Sequence, residues 1–320
     1  MGNRNRISIM QSLKLEVREN LKDIPHDPTR KQYFRDAEKF IRFCREKYNA
    51  KTLSECKLHL QDYSDHLVQQ GYTASTIHTY LAAACRAIGE KNILTTIKKP
   101  IRKSSEFTRG RNFSSKTNNI RLSHTERFRD LLEFQEIVGI RRSEISKIKG
   151  SDLVYDESGY LCVRVKSGKG GKFQLNKCSI KDYTRIRRIF ENKRPDELLF
   201  PPDVMQNKLN LHAIRAERAR EAYSEYVHRI KTEPGYSKIL EAEILARWNK
   251  YNINPKTNLP KRFDFSEIQG EYILRGENRK FAQEHGLPIY YNKLATMATS
   301  IFVLSHWRNN VTVTSYLLAI

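Results

Sequence analysis

The sequence predicts a mainly α fold with a small β-hairpin or sheet, of the α+β class. Three observations carry that expectation. Apolar residues recur at helical spacing over most of the chain, one central stretch alternates in strand fashion around a glycine-rich turn, and four prolines interrupt a late segment. At 320 residues the chain is long enough for two domains, each burying its own core.

The elements follow in order. Residues 1–24 read as a basic N-terminal segment, too short for a complete additional DNA-binding domain. Residues 25–97 read as a small helical domain. After Asp27-Pro28, apolar positions Tyr33, Ala37, Phe40, Ile41 and Cys44 share one helical face. Thr52 and Glu55 form a capping-box pattern before a helix carrying Leu60, Tyr63 and Leu67, which Gly71 ends. Thr73–Thr76 open another helix with Ile77, Tyr80, Leu81, Ala84 and Ile88 inward. Residues 98–122 form a basic linker, with Lys98, Lys99, Arg102, Lys103, Arg109, Arg111, Lys116 and Arg121 against the single acid Glu106. Such a segment would lie readily along phosphates.

Residues 123–320 read as a second domain. Ser123 and Glu126 set a capping box ahead of a helix through Phe128, Leu131, Leu132 and Ile137. A hairpin follows, from Tyr160–Val165 through Ser167-Gly168-Lys169-Gly170-Gly171-Lys172 to Phe173–Leu175. Helical patterns return over Ser179–Phe190, Leu209–Ile230 and Lys293–Ile320. Residues 231–290, broken by Pro234, Pro255, Pro260 and Pro288, are less regular and read as an insertion.

Composition narrows the partner. Lysine and arginine number 58 against 36 acids, a formal charge of +22, which favours a polyanion. The five cysteines lack close pairing, which fits reduced thiols rather than zinc ligands or a disulfide framework. No apolar run is long enough to span a bilayer and no secretion signal opens the chain, so a cytoplasmic location without a membrane partner is expected.

Cleaving a phosphodiester requires a nucleophile, charge stabilisation on the non-bridging oxygens and an acid for the leaving oxygen. No compact carboxylate cluster suited to magnesium stands in the sequence, whereas guanidinium forks match phosphate oxygens without a metal. Four segments in order carry such groups. They are Gly139-Ile140-Arg141-Arg142-Ser143-Glu144, the lysine-bearing turn at Lys169, His212-Ala213-Ile214-Arg215, and Leu304-Ser305-His306 followed by Tyr316. Spaced at i and i+3, His212 and Arg215 share a helical face.

This series resembles the signature boxes of tyrosine recombinases, the phage-integrase family, over most of the chain. The resemblance implies a helical core-binding domain joined to a catalytic domain. It implies a reaction without cofactor or metal, in which Tyr316 forms a 3′-phosphotyrosine. Arg141, Arg215 and His306 would stabilise the phosphoryl oxygens, Lys169 would protonate the departing 5′ oxygen, His212 would act as base or relay, and Glu144 would support Arg141. Double-stranded DNA and a homotetramer on paired sites would be the partners, with accessory bending or excision factors, and integration or excision of a mobile element the task. The same chemistry also serves Xer-like resolvases, type IB topoisomerases and telomere resolvases. A non-catalytic basic regulator is the alternative from another class. Two departures stand out. The long gap between Arg215 and His306 makes Arg275 a competitor for the second arginine, with Arg215 preferred for its partner His212. The sequence ends four residues beyond Tyr316, where many relatives continue into a tail that docks on a neighbouring subunit, so a different or minimal docking is expected. Ser305 in place of a common glycine is a tolerable change.

Overall fold

The computed structural model describes residues 8–102, 126–169, 173–254 and 257–318. The chain divides into two compact units, Met1–Lys103 and Ser104–Ile320.

The first unit is all helix. Its long helix Asp27–Tyr48 starts on a proline in its first turn and ends on Asn49 in the left-handed conformation. Thr52 caps the next helix by accepting from the Glu55 N–H, but the expected single helix is two, Leu53–Lys57 and Leu60–Gln69. The Glu55 carboxylate reaches back to the Lys51 N–H instead of the cap's own. Thr73 caps Ala74–Ala87. A further helix, Ile9–Asn20, capped by Ser8, lies in what reads from sequence as a plain basic segment. Its Leu13 and Val17 pack with Leu21, Ile24, Ala37, Ile41 and Ala87, so it is part of this core. Leu13 is fully buried; Leu13→Ala is expected to destabilise the unit by about 2–5 kcal/mol, read as a lower urea midpoint with unchanged slope.

The first stretch of the basic linker also belongs to this unit. The Lys98 N–H donates to Gln61, the Lys98 carbonyl accepts from Ser64, and the Pro100 carbonyl meets His78. Lys99 turns its ammonium onto the Leu94 and Ile97 carbonyls, at 2.6 and 3.1 Å, so it is not extended outward as a phosphate contact would be. Lys98 and Arg102 are exposed. Lys103, Arg109, Arg111 and Lys116, with Arg121 and Ser123, lie outside the described residues.

In the second unit the helix Glu126–Val138 and the helix Tyr183–Phe190 cover an antiparallel sheet. The sheet has one strand more than the expected hairpin. Leu153–Tyr155, Leu161–Val165 and Gln174–Lys177 pair in chain order, with Val154 opposite Cys162 and Val163 opposite Asn176. The helix Leu211–Thr232 crosses behind and packs on both Glu126–Val138 and Lys293–Phe302.

Residues 231–290 are more regular than their prolines suggest. They hold a sixteen-residue helix, Tyr236–Tyr251, and a shorter one, Gly276–Glu284. A small antiparallel pair joins Glu271–Ile273 to Tyr290–Asn292. Tyr236, Leu240 and Ile244 bury against Leu294, Met297, Ile301 and Phe302, so this segment shares a core with the last long helix. Among the described residues no helix is long and apolar enough to cross a membrane.

Candidate functional site

The site is assembled by the helix Leu211–Thr232, which carries the third motif segment and joins it to the first and the fourth. Asn210 caps it by accepting from the Ala213 N–H. This sets the first turn so that His212 and Arg215 emerge on one face.

Arg215 is 1% exposed, and its guanidinium bridges three chain segments. Nη1 donates to the Gly139 carbonyl at 2.5 Å, Nη2 to the Leu304 carbonyl at 2.8 Å, and Nε to the Tyr316 hydroxyl at 3.3 Å. Burial lowers the guanidinium's hold on its proton, and the neighbouring Tyr316 opposes that. An arginine stays charged in such a place because carbonyl dipoles replace the lost water.

Tyr316, 7% exposed, lies in a terminal turn of π-helix, Val313–Leu317. The rings of His212 and His306 each lie 5.6 Å from its ring, measured between centroids. Its carbonyl accepts from Arg220. The nucleophile candidate is therefore held from several directions by the residues that the motifs single out.

Arg141 approaches from the other half of the unit. It precedes a single helical turn, Arg142–Ile145, and is tied to it through Glu144. The Glu144 carboxylate accepts from the Arg141 backbone N–H at 2.9 Å and from its Nη1 at 2.7 Å. Glu144 also accepts from Gln174 Nε2 at 3.1 Å and from the Lys169 N–H at 3.3 Å. It thus joins the arginine box to the lysine turn. Gly168 makes this possible: a Cβ there would lie 1.8 Å from Gln174 Nε2 and 3.0 Å from Glu144 Oε1.

Burial pushes the Glu144 carboxyl up, but the Arg141 charge and hydrogen bonds, with Arg215 further off, outweigh it and hold it below its usual value of 4.5. A carboxylate depressed in this way stabilises the fold fully above the unfolded value. That contribution is lost as pH falls below it, through the lowered folded value. Wild type is therefore expected to lose more stability than Glu144→Gln between pH 4.5 and the acid unfolding limit. Thermal melts of the two across that range read the difference.

Arg141, His212 and Arg215 line one cleft of about 670 Å³, with Arg142 and Ser143 at its side. Arg142 holds the far wall by donating to the Met205 and Leu209 carbonyls and to Asn207 Oδ1. The Lys169 side chain is exposed beside its glycine turn, and Gly170, Gly171 and Lys172 lie outside the described residues. Arg275 lines a different cleft, with Trp248 and Asn278. Of the two candidates for the second arginine, it is Arg215 that lies with Tyr316.

His306 sits in a strained turn. Ser305 and Trp307 on either side of it have φ of +51° and +64°. Glycine accepts that conformation freely, whereas serine and tryptophan do so at a cost of about 1–3 kcal/mol. The Ser305 hydroxyl compensates by donating to Asn176 Oδ1 at 3.1 Å. Ser300, which no motif marks, lies against His306 Nδ1 at 3.2 Å and accepts from the Arg308 N–H at 2.7 Å. It fixes the imidazole to the backbone beyond it. Nothing in the sequence reveals Ser300, because it falls within an apolar helix among small residues.

No family model and no curated protein matches the sequence. Among solved structures the chain is similar to an XerA recombinase, at 14% identity over 66% of this chain and 83% of that one, with a TM-score of 0.25. It is also similar to an XerH site-specific recombinase bound to a palindromic difH substrate in a post-cleavage complex. That likeness has 13% identity over 68% of this chain and 85% of the other, with a TM-score of 0.37.

Proposed function

We propose that the chain is a tyrosine recombinase, which cleaves and rejoins double-stranded DNA through a phosphotyrosine intermediate. One observation carries this reading. The Tyr316 hydroxyl rests on a buried guanidinium that bridges the arginine box and the His306 segment, beside a cleft lined by Arg141 and His212. A merely structural tyrosine would not require three motif segments to converge on it.

In the proposed step the Tyr316 oxygen attacks a backbone phosphorus in line. The P–O5′ bond breaks, the phosphate remains on the tyrosine, and a 5′ hydroxyl leaves. Arg141, Arg215 and His306 stabilise the oxygens on which charge grows. Two N–H bonds of Arg215 remain after its three protein contacts, from a guanidinium that has five. His212 takes the phenol proton and Lys169, on its exposed turn, supplies one to the leaving oxygen. Glu144 keeps Arg141 oriented.

Attack by a partner strand's 5′ hydroxyl reverses the step, so one phosphodiester is exchanged for another without ATP. Recombination of two sites needs four protomers assembled on DNA. We assign the chain to integration or excision of a mobile element, with bending or excision factors as accessory partners. Lys98, Arg102 and the rest of the basic linker are proposed to follow the DNA backbone, with Lys99 the weakest candidate given its inward ammonium.

The test is covalent trapping. A nicked suicide substrate, whose leaving strand diffuses away, should convert the protein to a slower-migrating adduct that survives denaturation. Purified chain that binds its site yet never forms the adduct would leave a basic DNA-binding regulator in place of the recombinase.

A further inference from the structure

We propose that a second cleft, built between the 231–290 segment and the turn after His306, binds a nucleotide: a phosphate joined to a planar base. The cleft holds about 730 Å³ and is lined by residues from Trp248 to Asn310. It is separate from the Arg141–His212 cleft and needs no contribution from Tyr316, so the proposal stands or falls apart from the recombinase reading.

The lining is positive by a single charge, with Arg262, Arg275, Lys293 and Arg308 against Asp264, Glu267 and Glu271. Of the acids in the lining, Glu267 accepts from Asn309 Nδ2 and Asp264 from the Ser266 N–H. Lys293 donates to the Ser266 carbonyl. These bonds to neutral groups leave the charges in place, and Arg262 and Lys293 both lie near the Asp264 carboxylate. Arg275 and Arg308, both exposed, make no guanidinium hydrogen bond or salt bridge among the described residues. Guanidinium forks without a carboxylate match phosphate oxygens.

The wall is aromatic. Trp248 and Trp307 meet edge to face with centroids 5.3 Å apart. Trp307 is held at φ +64°, a costly backbone for a bulky residue, by the same turn that places His306, and both indoles rest partly on the core beneath. Indole faces and arginines together are the usual platform for a base and its phosphate.

The floor asks for donors. Asn309, 2% exposed, has no partner for Oδ1, and Asn278 Oδ1 is likewise buried without one. An unpaired buried acceptor is costly, and a base's exocyclic amino group could reach either oxygen only by shifting the side chains that now seal it from solvent. Phosphate alone would leave the indoles unused, and an apolar ligand would leave the arginines.

The nucleotide could be free or could belong to a DNA strand, and one experiment separates the two. The chain's two tryptophans both line this cleft, so its intrinsic indole emission reports on the site. The full chain is titrated with deoxyadenosine 5′-monophosphate, with deoxyadenosine, with inorganic phosphate and with a short single-stranded oligo-dA. Arg262→Ala/Arg275→Ala is titrated in parallel, after its melting temperature is matched to wild type. Saturable quenching by the monophosphate, weakened about ten-fold or more without its phosphate and in the double variant, supports the site with a free nucleotide. Quenching by oligo-dA alone, lost to the same degree in the double variant, supports it with a strand as source. No change in emission with any probe, or a response that the double variant retains, overturns the proposal. Arg275→Ala alone serves if the double variant folds poorly.

Discussion

Tyr316→Phe should abolish the covalent protein–DNA adduct while DNA binding stays close to wild type. The substitution removes one oxygen and nothing else. That oxygen is the atom which, in the proposed reaction, becomes bonded to phosphorus, and no other group of the site can take its place. The ring would remain between His212 and His306, whose centroid distances of 5.6 Å do not involve the hydroxyl. A smaller structural effect accompanies the chemical one. The Arg215 Nε–H, wholly buried, loses its acceptor, at a cost of about 1–3 kcal/mol. The variant should therefore melt a few degrees lower and still bind its site at the assay temperature. Tyr290→Phe, at an exposed tyrosine, is the control and should form adduct normally. An adduct that persists in Tyr316→Phe transfers the nucleophile's role to another of the chain's 16 tyrosines.

The parts of this site legible in sequence are those where one residue type performs one chemical task at a fixed local spacing. His212 and Arg215 can be placed on one helical face because the i, i+3 relation needs no tertiary knowledge. The pairing of Arg141 with Glu144 is local for the same reason. Arg215 against Arg275 could not be decided by position in the chain, because nearness to His306 in sequence says nothing about nearness in space. The fold brings Arg215 to the Tyr316 hydroxyl and leaves Arg275 in another cleft, which favours Arg215 as the sequence does through its partner His212. Ser300 and Asn176 belong to no motif, and although Gly139 opens the first one, its carbonyl's role is hidden for the same reason as theirs: each acts through a contact 6 to 129 residues distant. The helix Tyr236–Tyr251 was missed for a different reason. Its apolar residues are spread around the cylinder instead of along one stripe, so periodicity gives little signal, and the flanking prolines suggest irregularity. The Ile9–Asn20 helix is hard to read because only Leu13 and Val17 of its apolar residues are buried, while Ile9 and Leu15 lie exposed and blur the stripe.

Arg215→Lys is expected to lose both rate and stability, and the two losses have distinct causes. The guanidinium reaches the Gly139 carbonyl, the Leu304 carbonyl and the Tyr316 hydroxyl from three different nitrogens. An ammonium gathers its donors on one atom and cannot span that triangle. At least one carbonyl would be left buried and unpaired, at about 1–3 kcal/mol, seen as a lower melting temperature in the absence of DNA. The rate loss should be larger, about 10²- to 10³-fold in adduct formation, if the remaining N–H bonds serve the phosphoryl oxygens. Gly139 stands just before Arg141 and Leu304 just before Ser305-His306, so the same side chain also sets how far apart the other phosphate-binding groups lie. Arg275→Lys provides the contrast, since Arg275 is exposed and lines the other cleft. It should leave the rate and the melting temperature at wild-type values. Measuring adduct formation at a temperature where every variant is folded separates chemistry from unfolding. If Arg215→Lys cleaves at the wild-type rate there, the buried guanidinium is a structural clamp alone, and the phosphate must be held by Arg141 and the two histidines without it.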